Sequence, residues 1–150
     1  MFTTPVLDDD DAQALLAAAR AHARARGWCV AIAVCDAGGH LLGFLRLKGA
    51  NPASASIAPA KARTAALMKR DTKLVEEMVN GGRTAFLSAP GLDGLLEGGV
   101  AIVVDGHCIG AVGVSGVKAV EDAEIAATAI AAWRGEPLGT QPTTTPTTPA

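Results

Sequence analysis

Two cations and a hydroxyl lie close together near the start of a predicted helix: Lys61, Arg63 and Thr64. Their neighbours are almost all alanine, and Lys61 and Thr64 fall on one face of the helix. Together with the free backbone amides of a helix N-terminus, these groups suit a carboxylate or a phosphate. The sequence therefore predicts an anion-binding site here. The alternative is that the two cations only keep an exposed helix face soluble.

A histidine and a carboxylate flank a predicted turn. Asp36 follows one strand and His40 begins the next, so the two side chains are placed to form a pair for proton transfer. His22 and His107 are distant in the chain, and the three histidines lack the spacing of a zinc site. We therefore predict His40 and Asp36 as the catalytic pair if the protein is an enzyme, and we predict no metal site.

The stretch 98–116 reads as a two-strand hairpin with glycines at both ends. Pairing across its Asp105-Gly106 turn predicts Val104 beside His107 and Ile102 beside Ile109. The missing Cβ atoms of Gly113 and Gly116 let a ligand or another backbone approach closely, and Ser115 offers a hydroxyl beside them. Two interpretations stay open for this stretch. Its glycines either make room for a bound ligand, or they make room for neighbouring backbone where the hairpin packs in a crowded core.

Hydrophobic periodicity predicts the elements that position these candidates. Paired strands alternate with helices along the chain, and the loops between paired strands are too short for a parallel crossover. The pattern therefore indicates an α+β fold with an antiparallel sheet. The predicted helices lie at about 8–26, 58–70, 71–80 and 121–133, and the predicted strands at 28–34, 40–47, 100–104 and 108–114.

Length and composition fit a single domain of 150 residues with a substantial core. The chain is 49% hydrophobic but only 3% aromatic, so small aliphatic side chains must fill that core. A net charge of −2 without a basic run argues against nucleic-acid binding. No apolar run is long enough to span a bilayer, and acidic residues come first where a leader peptide would be basic. We expect a cytoplasmic protein with no membrane partner.

The composition changes after residue 134. Residues 1–134 have the mixed composition of a folded domain, whereas residues 135–150 are rich in Pro and Thr. Such a segment cannot bury enough apolar surface to order itself. We therefore predict one domain at 1–134 followed by a disordered tail at 135–150.

Several short runs, in this order and spacing, resemble the GlcG/HbpS-like family, also called the haem-binding or haem-degrading domain. The runs are Lys61-Ala-Arg-Thr-Ala65, Asp71-Thr72, Gly98-Gly-Val100, Asp105-Gly106 and Ile109-Gly-Ala-Val-Gly-Val-Ser-Gly116, followed by Asp122. The resemblance covers about residues 8–134. It implies a five-stranded antiparallel sheet with helices on both faces, in a profilin-like or PAS-like three-layer sandwich.

The resemblance also implies a ligand and an assembly. The ligand would be haem or another tetrapyrrole, with a threonine on the iron, so Thr64 or Thr72 could serve. The assembly would be a homo-oligomer, from a dimer to an octamer. This chain has Lys48 where the family commonly has an acid, and the added positive charge near Arg46 favours an anionic ligand there.

Three functions follow from these observations. We favour a haem- or tetrapyrrole-binding or sensing protein. The second function is an enzyme, of lyase, hydrolase or deaminase type, acting on a small hydroxy acid, oxo acid or aromatic-catabolic intermediate. The third is a structural subunit of an assembly. The predicted ligand-binding residues are Lys61, Arg63, Thr64, Arg46, Thr72, Gly113, Ser115 and Gly116.

Overall fold

The structure of the protein is a computed structural model that describes residues 1–135. The tail predicted at 135–150 lies outside the described residues, apart from Gly135. The order of helices and strands is the one that the sequence predicts. The elements are α1 (Asp9–Arg26), β1 (Ala31–Asp36), β2 (Leu41–Arg46), α2 (Ser54–Met68), α3 (Thr72–Asn80), β3 (Gly99–Val104), β4 (His107–Ser115) and α4 (Ala119–Arg134).

The ends of α1 are set by local sequence. The Asp8 carboxylate accepts a hydrogen bond from the backbone N–H of Asp11, and the Asp11 carboxylate accepts one from the N–H of Asp8. This capping box satisfies two amides that the helix itself leaves unpaired. Gly27 ends the helix in the left-handed conformation, at φ 71°.

The four strands form one antiparallel sheet in the order β2–β1–β4–β3. The β3–β4 turn has positive φ at both central residues, 49° at Asp105 and 79° at Gly106, as a type I′ hairpin requires. Val104 lies opposite His107 next to this turn, which confirms the predicted pairing at that point. Because β1 pairs with β4, the β1–β2 turn and the β3–β4 turn lie at the same end of the sheet.

The register of the β3–β4 hairpin departs from the prediction beyond its first residues. A bulge between Ile102 and Val103 shifts the pairing by one residue. Ile102 therefore lies opposite Gly110, and the predicted pairing of Ile102 with Ile109 is wrong. A bulge adds one residue to one strand only, and nothing in the local sequence of this hairpin marks it.

The described residues form four strands, where the resemblance implied five. The long connection between α3 and β3 supplies no further strand. It contains a short 3₁₀ turn at Thr84–Ser88 and glycines with positive φ at positions 82, 91, 94 and 98. That backbone is incompatible with the extended conformation of a strand.

Helices cover both faces of the sheet. On one face, α1 and α4 bring large aliphatic side chains such as Leu15 and Ile125 against sheet residues such as Ile32. On the other face, α2 packs through small side chains such as Ala62 against sheet residues such as Ala111. The predicted α+β fold with an antiparallel sheet between helices is therefore confirmed.

Candidate functional site

The basic run on α2 is not at a helix N-terminus. The helix begins at Ser54 rather than near residue 58, because the side-chain oxygen of Asn51 accepts the backbone N–H of Ser54 at 2.9 Å. Lys61 therefore lies two turns into the helix. Amides at that depth are hydrogen-bonded within the helix, so the expectation that free amides support an anion site at Lys61 is wrong.

The Lys61 side chain points into the interior, where it is 3% exposed. Its Nζ donates to Asp122 Oδ2 at 3.1 Å and to the Val114 carbonyl oxygen at 3.0 Å. Asp122 also accepts the backbone N–H of Val117 at 3.2 Å. Burial raises the pKa of Asp122, and the Lys61 ammonium opposes that shift. This buried pair ties α2, β4 and α4 together.

The two threonines that the resemblance offers as iron ligands are fully buried. The Thr64 hydroxyl donates to the carbonyl oxygen of Asp93. The Thr72 hydroxyl accepts the backbone N–H of Gly99 at 2.8 Å. Thr64 therefore holds the α3–β3 connection against α2, and Thr72 holds the first residue of β3 against α3. Both hydroxyls already have partners.

The glycine-rich end of β4 lies against backbone of the chain itself. A Cβ on Gly113 would lie 2.2 Å from the carbonyl oxygen of Ala58 and 2.5 Å from the backbone nitrogen of Ala62. A Cβ on Gly116 would lie 2.6 Å from the carbonyl oxygen of Cys29. Of the two interpretations of this stretch, the described contacts favour the crowded core. Ser115 is 7% exposed.

Arg63 points away from the Lys61 side of α2. Its Nε donates to the Gly91 carbonyl oxygen at 3.3 Å, and its Cγ would lie 3.0 Å from a Cβ on Gly39. Lys61 and Arg63 therefore do not point at one pocket beside the stretch 113–116 in this chain. Side chains on a helix share a face when they are three or four residues apart. Lys61 and Arg63 are two residues apart, so they point to different sides of α2.

An open apolar face lies over β2, beside α2. Ala31 and Ala33 of β1 pack against α2, and they pair with Arg46 and Phe44. Residues directly opposite in a sheet point to the same face, so Arg46 and Phe44 also lie on the α2 side. Phe44 is 38% exposed there.

Leu41 and Leu67 extend this face. Leu41 pairs with Cys35, which also packs against α2, and the Leu67 side chain lies beside Gly39. Both leucines are exposed, as is the adjoining Arg63. We call this set the Phe44 surface: Leu41, Phe44, Leu67, Arg46 and Arg63.

The His40–Asp36 pair forms as its spacing predicts. The His40 Nδ1 lies 3.4 Å from Asp36 Oδ1, and the same oxygen accepts the backbone N–H groups of Gly38 at 2.9 Å and His40 at 3.0 Å. The imidazole itself is 79% exposed. The catalytic role of the pair stays a prediction.

The two hairpin turns enclose a pocket of about 340 Å³ at their shared end of the sheet. Besides Asp36 and His40 it is lined by Lys69, His107 and Cys108, which sequence reasoning did not assign to a site. Residues 4–6 form another wall. We call this cavity the tip pocket. Its lining residues extend from Thr4 to Ile109 along the chain, and their meeting depends on the strand order.

Two further features concern the described residues as a whole. Within residues 1–135, no cluster of histidine, cysteine and carboxylate side chains has the arrangement of a metal site. In the same range, no helix combines the length and the apolar character required to cross a bilayer. His22 instead pairs with Glu124 at 2.9 Å and joins α1 to α4.

The sequence model of a family described as "Haem degrading protein HbpS-like" matches residues 7–131. The chain belongs to the HbpS-like family. This match confirms the resemblance drawn from the motifs between Lys61 and Asp122. It also includes every residue of the Phe44 surface.

Two curated relatives of this HbpS-like chain differ in how much of their length it covers. Protein GlcG of Escherichia coli is 54% identical over 115 residues, which are 77% of this chain and 85% of GlcG. The corrinoid adenosyltransferase PduO of Salmonella typhimurium is 36% identical over 134 residues, which are 87% of this chain but 40% of PduO. The likeness to PduO therefore concerns less than half of that enzyme.

Solved structures of the family share the fold. A double mutant of Streptomyces reticuli HbpS superposes with a TM-score of 0.80 at 28% identity, covering 88% of this chain and 90% of that one. A complex of PduOC with haem superposes with a TM-score of 0.77 at 34% identity, covering 85% and 95%. The HbpS-like fold seen here is thus one that holds haem in a relative.

Proposed function

We propose that this protein binds haem or a closely related tetrapyrrole. The observation that carries the proposal is the likeness to the PduOC–haem complex, which extends over most of both chains. The family match supports the same ligand class. We propose the Phe44 surface as its location on this chain.

The chemistry of the Phe44 surface fits a porphyrin. Haem is a flat, largely apolar ring with two carboxylates on one edge. Phe44, Leu41 and Leu67 offer exposed apolar area, and contact between aromatic rings adds to the free energy of burial. Arg46 and Arg63 carry the positive charges that pair with carboxylates. A ring against the apolar side chains with its carboxylates toward the arginines satisfies both requirements.

His40 is the residue that we assign to the iron. Histidine is a common axial ligand of haem, and His40 directly precedes Leu41 of the Phe44 surface. Asp36 Oδ1 lies 3.4 Å from its Nδ1, so Nε2 is the nitrogen that would hold the iron, and a carboxylate near the other nitrogen is common for metal-bound histidines. Haem, when bound, supplies an iron that exchanges electrons or takes small ligands. For Thr64 or Thr72 to hold the iron instead, its hydroxyl would first have to break the buried hydrogen bond that it makes here.

Hemin titration tests the proposal. We expect a Soret band that saturates at one hemin per chain. Arg46→Gln and Arg63→Gln should each weaken binding about tenfold, since each removes a charge-assisted contact to a carboxylate. His40→Ala should shift the Soret maximum, because it changes the axial ligand. Arg20→Gln, an exposed arginine on the opposite side of the sheet, is the matched control and should bind hemin as the wild type does.

The outcomes separate the site from the function. Absence of a spectral change at stoichiometric hemin contradicts the proposed function. Saturable binding that none of the three variants alters contradicts the Phe44 surface as its location. A normal Soret maximum in His40→Ala removes His40 as the axial ligand and leaves the arginine contacts in place.

We further propose that the chain forms a homo-oligomer, between a dimer and an octamer. Exposed large apolar side chains support this proposal, because contacts between copies of the chain would cover them. Examples outside the Phe44 surface are Leu74, Leu87 and Val120. Light scattering at micromolar concentration should give a multiple of the chain mass, about 15 kDa. A mass of one chain under those conditions refutes the proposal.

A further inference from the structure

We propose that the tip pocket is a second binding site, for a small carboxylate with an apolar body, and that Lys69 and His107 hold the carboxylate. The pocket has a volume of about 340 Å³, which is near the lower end of the range for small-molecule sites. It therefore suits a metabolite much smaller than a tetrapyrrole. The proposal does not depend on the haem site, although His40 borders both.

The balance of charge and hydrogen bonding in the pocket calls for an anion. Asp36 is the carboxylate among the lining residues, and its Oδ1 already accepts two backbone amides and faces the His40 ring. Within residues 1–135, the side chains of Lys69 and His107 have no hydrogen-bond or ion-pair partner. The Asp36 carboxylate is therefore already satisfied, whereas the Lys69 ammonium and the His107 ring are left to hold an anionic ligand.

The backbone at Lys69 points to a role outside folding. Lys69 caps the C-terminus of α2 in the left-handed conformation, at φ 55°. Glycine or asparagine is usual at such a position, since a side chain there is strained. Strained residues that persist are concentrated at functional sites. From this position Lys69 lines the tip pocket.

The walls of the pocket determine which chemical group can accompany the carboxylate of the ligand. Pro5, Val6 and Ile109 are apolar. Burial raises the pKa of the Cys108 thiol, so this residue stays neutral and does not repel an anion. The His107 ring is held in a stack with Phe2, with centroids 5.3 Å apart. A small aromatic or branched aliphatic acid has the complementary shape and charge.

Calorimetric titration of the full chain, prepared without hemin, tests the site. Benzoate and isobutyrate are the probes, and benzamide is the uncharged control for benzoate. We expect at least one acid to bind saturably at millimolar concentration or below, with benzamide binding at least about tenfold more weakly because it lacks the charge. The histidine ring protons of His107 should shift in the NMR spectrum on binding.

Variants at Lys69 separate binding from folding. Lys69→Gly should weaken acid binding about tenfold or more while raising the midpoint of thermal unfolding, because glycine relieves the left-handed position. Lys69→Arg should keep the affinity. Lys73→Met, at an exposed lysine on α3, should change nothing.

Three results overturn the inference. They are the failure of both acids to bind, equal binding of benzoate and benzamide, and unchanged acid affinity in Lys69→Gly. The haem site fails separately, since hemin titration reports on Arg46 and Arg63 rather than on Lys69. Loss of acid binding with unchanged hemin binding in Lys69→Gly shows that the two sites are independent.

Discussion

Replacing Lys61 with methionine should destabilise the fold by about 3–5 kcal/mol, the usual cost of breaking a buried ion pair. Asp122 is 2% exposed, and without Lys61 its charge has no cation beside it. The carbonyl oxygen of Val114 also loses its donor. The free energy of unfolding measured in urea gives the size of the effect. Lys118→Met, at an exposed lysine, is the control and should lie within about 0.5 kcal/mol of wild type.

The Lys61→Met variant should also depend on pH in a defined direction. Burial already raises the pKa of Asp122 above its unfolded value, and removing Lys61 raises it further. A carboxyl with a raised pKa takes up its proton in the folded state first, so the variant should be most stable at low pH and lose stability as the pH rises through that pKa. Adding Asp122→Leu should recover much of the loss. If Lys61→Met instead unfolds like wild type but loses hemin or acid binding, Lys61 is a ligand-binding residue.

Gly113→Ala should cost about 2–3 kcal/mol, in the upper part of the range for overpacking a core. The added methyl carbon would lie 2.2 Å and 2.5 Å from backbone atoms of α2. Backbone atoms cannot relieve this overlap by a change of rotamer, as a side chain can. The helix must therefore move off the sheet. We expect a lower midpoint of urea unfolding with an unchanged slope.

Gly106→Asn is the matched control for Gly113→Ala. Gly106 has positive φ but open space around its Cβ position, and asparagine is accepted in a type I′ turn. Its stability should change by no more than about 0.5 kcal/mol. If Gly113→Ala keeps its stability and loses only ligand binding, the glycine exists for a ligand and the crowded-core interpretation fails.

Local sequence determined most of the elements, because their ends depend on neighbouring residues. Asp8 and Gly27 fix the limits of α1 through short-range hydrogen bonds and one left-handed residue. Asp105 and Gly106 fix a turn because few residue pairs adopt positive φ at both positions. The start of α2 was misplaced because its first amide, that of Ser54, is held by the side chain of Asn51, three residues before the helix.

The family could also be identified from the sequence, but the positions of its side chains could not. The order and spacing of several short runs between Lys61 and Asp122 gave the resemblance that the family match confirms. It did not reveal that Lys61 is buried against Asp122, which lies 61 residues further along the chain. The local sequence around a lysine is the same whether its ammonium contacts solvent, a ligand or a carboxylate far along the chain.

The tertiary structure alone decided which residues share a site. The strand order β2–β1–β4–β3 brings two hairpin turns to one end of the sheet, so His40 meets His107 and the end of α2 at the tip pocket. The pairing of β1 with β2 places Arg46 and Phe44 on the face that α2 leaves open. Sequence fixes local conformation through short-range contacts, whereas these juxtapositions depend on non-local strand pairing and on how closely alanine and glycine let α2 approach the sheet.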